Sequence, residues 1–321
     1  RLVLLVVGGP ANENEGFRAA FGTRISSPAA LTLIRAATSA PSGAAPPTTA
    51  PAPPATATPA GPPASTAPVV GTWTKADPPR GAPAGGEWIA IAAPEGRTIL
   101  ARVSRPTGTG PFPAVVPLHS QTGFSTEYLA LGDEIARAGF VTVTGCWFGG
   151  HYDGTATVDP PPALPLATGV DCPNGPAIKP ITSGASLEDI AAIVAATKTL
   201  PGVRAERIGV VGNSRGSIVA LLGAAVGGNV VQAVVGIGGA PPGGPTLAAN
   251  MTTPVLLLQG GADSVVPVIF GQALEQALIA LGRTVESHTY EGAGHGILFG
   301  TPTYDDAVQR TVTFLRKHLG A

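Results

Sequence analysis

From Ser186 to the last helix, two periodicities take turns along the chain, and that alternation constrains the fold more than any other feature. "SLEDIAAIVAATKTL" has helical spacing and opens on Ser186 and Asp189, which reads as a capping box. Strand "RIGVVG" then leads into helix "RGSIVALLGAAV", and strand "VQAVVGIG" follows. Strand "PVLLLQG" precedes helix "PVIFGQALEQALIAL", and strand "TVESHTY" precedes helix "YDDAVQRTVTFLRKHL". Short runs that are apolar throughout belong to strands buried on both faces. Strands alternating with helices imply an α/β fold, a mostly parallel, doubly wound sheet flanked by helices. In such sheets, sites form beyond the carboxyl ends of the strands. A functional residue should therefore stand just after a strand.

The same grammar extends upstream to about residue 85. "EWIAIAA" and "TILARVS" read as an antiparallel hairpin at a sheet edge, turning at Pro94-Glu95-Gly96. "PAVVPL" is a buried strand, "TEYLALGDEIARA" an amphipathic helix and "FVTVTGCW" the next strand. A long irregular stretch, roughly residues 147 to 184, separates that strand from the helix at Ser186.

Before residue 85 the composition changes. Residues 41 to 68 are low-complexity Pro/Ala/Thr, with few large apolar side chains whose burial would offset the entropy of ordering. We expect residues 41–84 to be an extended linker. Residues 1–40 open on the apolar "RLVLLVVGG", read as the remnant of a secretory signal or the end of something upstream, and Ser27-Pro28 is a plausible helix start.

Net charge is −1 and charged residues make up 12 % of the chain, so nothing suggests a nucleic-acid partner. The sequence contains no apolar run long enough for a transmembrane helix. Its two cysteines, Cys146 and Cys172, lack the spacing of a zinc or redox motif. They would form one disulfide in an exported protein; the alternative is two unlinked thiols.

Gly212-Asn213-Ser214-Arg215-Gly216 matches G-x-S-x-G at a strand-to-helix junction. A turn that sharp leaves no room for side chains at 212 and 216, and it lifts the serine hydroxyl above the sheet. A serine needs a base to take its proton. Of the five histidines, His295 in "GAGHGI" follows strand "TVESHTY" and is the base candidate. His288 lies inside a strand, His318 in the last helix and expected to be solvated, His151 in the irregular stretch and His119 at a strand end. Asp263, just past "LLLQG", is the candidate to orient His295, with Glu291 as the rival acid. Charge on the substrate carbonyl oxygen must meet aimed donors. The N–H of Arg215 should be one, and Gln121 in "LHSQTGF" the other, with Ser120 next in line.

With "LHSQTG", "GNSRG", "QGGADSVVP" and "GAGHG" in this order, residues 85–321 resemble the α/β-hydrolase superfamily, and most resemble its dienelactone-hydrolase-like esterase branch. The resemblance implies a catalytic domain with about eight strands, no metal or organic cofactor, and hydrolysis through an acyl-enzyme. Two departures stand out. Dienelactone hydrolases proper carry a cysteine nucleophile where this chain has Ser214, so dienelactone itself is not the expected substrate. The oxyanion loop of many relatives reads His-Gly-x, whereas here it is His119-Ser120-Gln121. His119 is then expected to be structural.

The stretch after Cys146 should overhang the site. Trp147, Phe148, His151 and Tyr152 are candidate pocket residues, the alternative being a packed loop stapled by Cys146–Cys172. The expected protein is a secreted or surface-tethered serine esterase acting on a small-molecule or polymeric ester. A prolyl-oligopeptidase-like peptidase shares the catalytic order, but no propeller-sized domain precedes the hydrolase region. A non-catalytic binding module of the same fold would be expected to lack a member of the Ser-His-Asp set, and none is missing.

Overall fold

The computed structural model describes residues 69–148, 169–172, 184–227, 230–299 and 301–321. Its strands are β1 (Trp73–Lys75), β2 (Glu87–Ala92), β3 (Thr98–Ser104), β4 (Phe112–Leu118), β5 (Val141–Gly145), β6 (Val203–Asn213), β7 (Ala233–Ile237), β8 (Val255–Gly260) and β9 (Val285–Tyr290). They form one nine-stranded sheet in the order β1-β2-β3-β5-β4-β6-β7-β8-β9. β1, β2, β3 and β5 pair antiparallel, and every pairing from β5 through β4 to β9 is parallel.

The ninth strand is β1, whose "WTK" is too short and too polar to announce itself. It lies within the stretch 41–84 read as linker, so the sheet begins N-terminal of residue 85. β1 also displaces the β2–β3 hairpin from the edge, because Trp73, Thr74 and Lys75 pair with Ile91, Ala90 and Ile89. The hairpin turn falls at Pro94–Gly96 as expected, with Glu95 at φ 59°.

The helices are α1 (Thr126–Arg137), α2 (Gly184–Thr199), α3 (Arg215–Val226), α4 (Gly244–Ala248), α5 (Ile269–Ala280) and α6 (Tyr304–Leu319). Side chains alternate across a strand, so each central strand feeds two cores. Ala114, Val116, Val210, Val234 and Leu257 pack with α2, α3, α4 and α5. Val115, Val211, Val235 and Leu256 pack with α1 and α6. Two-sided burial is the reason these strands are apolar throughout.

The capping box is a correction. α2 begins at Gly184, so Ser186 lies inside the helix. Asp189 is buried and bonds Arg97 Nη2 at 2.6 Å. An ion pair reaching the β2–β3 turn takes the carboxylate that the cap would have used. α6 follows its sequence pattern, with Asp305 and Asp306 in the first turn and Arg316, Lys317 and His318 in the last, as the helix dipole favours. His318 is not solvated as expected: its ring packs 4.5 Å from Phe314 and only 14 % of the side chain is exposed.

Candidate active site

Ser214 sits between the end of β6 and the start of α3 with φ 51° and ψ −113°, a conformation that costs a non-glycine residue about 1–3 kcal/mol. Its N–H donates to the Ile237 carbonyl of β7 at 2.8 Å, and its carbonyl accepts from Ile218 N–H at 3.0 Å. The flanking glycines are required by contact. A Cβ on Gly212 would collide with the Gly216 carbonyl, and one on Gly216 would lie 2.5 Å from the Leu118 carbonyl of β4.

His295 follows β9 and brings Nε2 to 2.8 Å from Ser214 Oγ. Its Nδ1 lies 2.8 Å from Asp263 Oδ2. An ionised carboxylate only accepts, so Nδ1–H donates to it and Nε2 is left to accept from the serine hydroxyl. Asp263 stands three residues past β8, its side chain 2 % exposed. Its second oxygen accepts from the N–H groups of Val265 and Val266, both at 2.8 Å. Each carboxylate oxygen thus has a fixed partner. The loops touch through backbone: Ala262 N–H donates to the Ala293 carbonyl at 2.9 Å, and a Cβ on Gly260 would collide with the Gly294 carbonyl. Glu291, the rival acid, is exposed, and the histidine ring bonds Asp263 instead.

The loop after β4 separates the two oxyanion-donor candidates it contains. Ser120 N–H donates to the Tyr128 hydroxyl at 2.9 Å, so it is already engaged. Thr122 N–H turns to Ser120 Oγ and Gly123 N–H to the Ser120 carbonyl. Among the described residues no hydrogen bond engages Gln121 N–H. Arg215 opens α3, so its N–H belongs to the first helical turn, where donors point outward along the axis.

Beneath this loop lies an aromatic nest. The His119 ring is 1 % exposed, with Phe148, Trp147, Phe124 and Tyr128 at 4.4, 5.3, 5.8 and 6.0 Å. Nδ1–H donates to the Ser120 carbonyl at 3.0 Å. Burial pushes the imidazole down to about 3, and it stays neutral. That environment suits the structural role read for it. The Arg215 guanidinium stacks 5.3 Å from the Phe148 ring centre and 5.9 Å from that of Trp147, and burial lowers its pKa to about 10.

Of the candidate pocket residues, Trp147 and Phe148 are 1 % and 3 % exposed and pack on His119 and Arg215. The indole N–H donates to the His119 carbonyl at 3.2 Å. Both rings pack against His119 in the loop after β4. A Cys146–Cys172 disulfide with a Cα–Cα distance of 6.0 Å joins this strand end to the following segment. His151 and Tyr152 lie outside the described residues, as does Ser27-Pro28.

Two residues of the site escaped the sequence reading. Asn213 Nδ2–H donates to the Tyr128 hydroxyl at 2.8 Å, alongside the bond from Ser120. Tyr128, Leu131 and Ile135 share the apolar stripe of α1, so the tyrosine reads as core and nothing marks its hydroxyl. Among the described residues no cluster of His, Cys, Asp or Glu is arranged to hold a metal ion.

The family model for dienelactone hydrolases matches residues 99–319. A Synechocystis sp. protein assigned as a carboxymethylenebutenolidase is 25 % identical over 208 residues, covering 62 % of this chain and 80 % of its own. Among solved structures, a dienelactone hydrolase of Anabaena variabilis aligns with TM-score 0.54 and 19 % identity, over 73 % of this chain and 98 % of its own. A Pyrococcus furiosus esterase aligns with TM-score 0.56 and 16 % identity, over 74 % and 93 %. At these identities the structural likeness speaks for the fold alone, a sheet flanked by helices as in α/β-hydrolases.

Proposed function

Since the chain belongs to the dienelactone hydrolase family, we propose that it is a serine esterase that cleaves carboxylic esters through an acyl-enzyme. One observation carries the reading: His295 bridges Ser214 and Asp263 with hydrogen bonds of 2.8 Å on both sides. Ser214 Oγ attacks the ester carbonyl while His295 Nε2 takes its proton. Asp263 holds the ring in the tautomer this requires and stabilises the imidazolium. Negative charge on the carbonyl oxygen is met by the N–H groups of Gln121 and Arg215. The C–O bond to the alcohol then breaks, and His295 returns its proton to the leaving oxygen. Water, deprotonated by the same imidazole, attacks the acyl-enzyme, and the acid leaves with Ser214 restored.

Serine rather than cysteine at position 214 favours ordinary carboxylic esters, small or polymeric, over dienelactone. In this reading the sheet-bearing region, from β1 at Trp73 to the last helix, forms the catalytic domain, tethered through the Pro/Ala/Thr-rich stretch of residues 41 to 68. The disulfide fits an oxidising, extracytoplasmic compartment. Among the described residues no helix is long and apolar enough to cross a membrane.

The test is turnover of p-nitrophenyl acetate by Ser214→Ala. We expect a fall in kcat of about 10⁴-fold or more, with the circular dichroism spectrum unchanged. A folded variant that still turns over at the parental rate would refute the assignment.

A further inference from the structure

We propose that Tyr128 is a positioning residue for the oxyanion site: its phenolic oxygen accepts one hydrogen bond from each half of that site and fixes their separation. The inference rests on the reading of Ser214 as nucleophile and of the Gln121 and Arg215 N–H groups as oxyanion donors. Those donors come from different segments, the β4–α1 loop and the β6–α3 elbow. They are useful only if both lie within about 2.7–3.1 Å of an oxygen whose position is set by its bond to Ser214. The relative placement of the two segments must therefore hold to about half an ångström.

The sheet alone does not provide that precision. β4 and β6 are parallel neighbours, but their last ladder pair is Leu118 with Gly212, before either segment reaches its donor. Beyond that pair the Tyr128 oxygen spans the gap. It accepts from Ser120 N–H at 2.9 Å, one residue before Gln121. It also accepts from Asn213 Nδ2–H at 2.8 Å, one residue before Ser214. Burial raises the phenol pKa, so the group stays a neutral hydroxyl with both lone pairs available.

The anchor is itself held. Tyr128 is 3 % exposed in α1, and its ring meets the edge of His119 at 6.0 Å and of Phe299 at 5.0 Å. Phe299 has φ 56° and belongs to the loop that carries His295. One side chain thus contacts the oxyanion loop, the elbow and the histidine loop. A residue needed only to fill the core could be phenylalanine; the hydroxyl is what the two donors require.

Tyr128→Phe separates these roles because it keeps the ring and removes only the oxygen. We expect kcat on p-nitrophenyl acetate to fall by about tenfold to a hundredfold, with KM changed less than about twofold. The inhibition constant of a trifluoromethyl ketone, which adds Ser214 to form an oxyanion, should rise by the same factor as kcat falls. Parental kcat and inhibition would overturn the proposal, and so would a lower kcat with unchanged inhibition. Should Tyr128→Phe fail to fold, Asn213→Ala removes only the elbow-side bond, and the same paired losses are expected of it; their absence would overturn the proposal. Ser214→Ala is run in parallel. An active Ser214→Ala sinks the nucleophile reading, whereas an inactive one beside a fully active Tyr128→Phe sinks only the role of Tyr128.

Discussion

Ser214, His295 and Asp263 were each legible because a strand end and adjacent glycines mark them in the chain. Tyr128 was not, because a hydroxyl on an apolar helix stripe looks like any other core residue until its donors are seen. At this scale Asp263 invites a direct test. Asp263→Asn retains the shape but offers Nδ1 a different partner, which favours the wrong tautomer. We expect kcat to fall by about 10⁴-fold with the fold retained, measured as steady-state ester turnover. His119 makes a prediction about pH instead. The folded ring ionises near pH 3 and the free ring near 6.5, so the unfolded chain binds more protons between those values. Stability from this group is complete above about pH 6.5 and lost as pH falls toward 3, by an amount on the order of 5 kcal/mol. His119→Asn keeps a donor near Nδ1 but does not titrate. Its urea midpoint should vary less steeply with pH over that interval than the parent's; equal slopes would exclude His119 as the source.

Among the elements, those with apolar runs or helical stripes were readable, and the failures have local causes. β1 spans only Trp73–Lys75 and depends on pairing with β2, an interaction between distant residues that no local pattern encodes. The Ser186–Asp189 box was locally sound but lost its carboxylate to Arg97, ninety-two residues away. The elbow between β6 and α3 was readable because its steric demands are local. Gly216→Ala tests them, since the new methyl would meet the Leu118 carbonyl at 2.5 Å, and backbone on both sides can move little. We expect a loss of about 3 kcal/mol in a denaturant titration, together with reduced turnover. A variant as stable and active as the parent would show that the elbow is less tightly packed than this contact implies.

For the whole molecule, alternation of strands and helices was sufficient to anticipate a mostly parallel sheet, and the hydrogen-bonded Ser214, His295 and Asp263 stand beyond the carboxyl ends of β6, β9 and β8. Acyl and alcohol preference was not readable: Trp147 and Phe148 are buried against His119 and Arg215, and no local pattern in the sequence encodes that packing. The Cys146–Cys172 bond ties the end of β5 to the segment that follows, across a separation of 26 residues. By loop-closure entropy, opening it should cost roughly 3 kcal/mol. Reduction should therefore lower the calorimetric Tm by about 10 °C; an unchanged Tm would mean the bond does not constrain the unfolded chain. The central claim is that Ser214 becomes covalently bonded to the substrate's acyl group. Its most direct test is to treat the folded protein with a fluorophosphonate and map the adduct by peptide mass spectrometry. We predict one adduct, on the peptide containing Ser214 and on that side chain. A folded protein that takes up no label, or takes it up at another residue, would contradict the account.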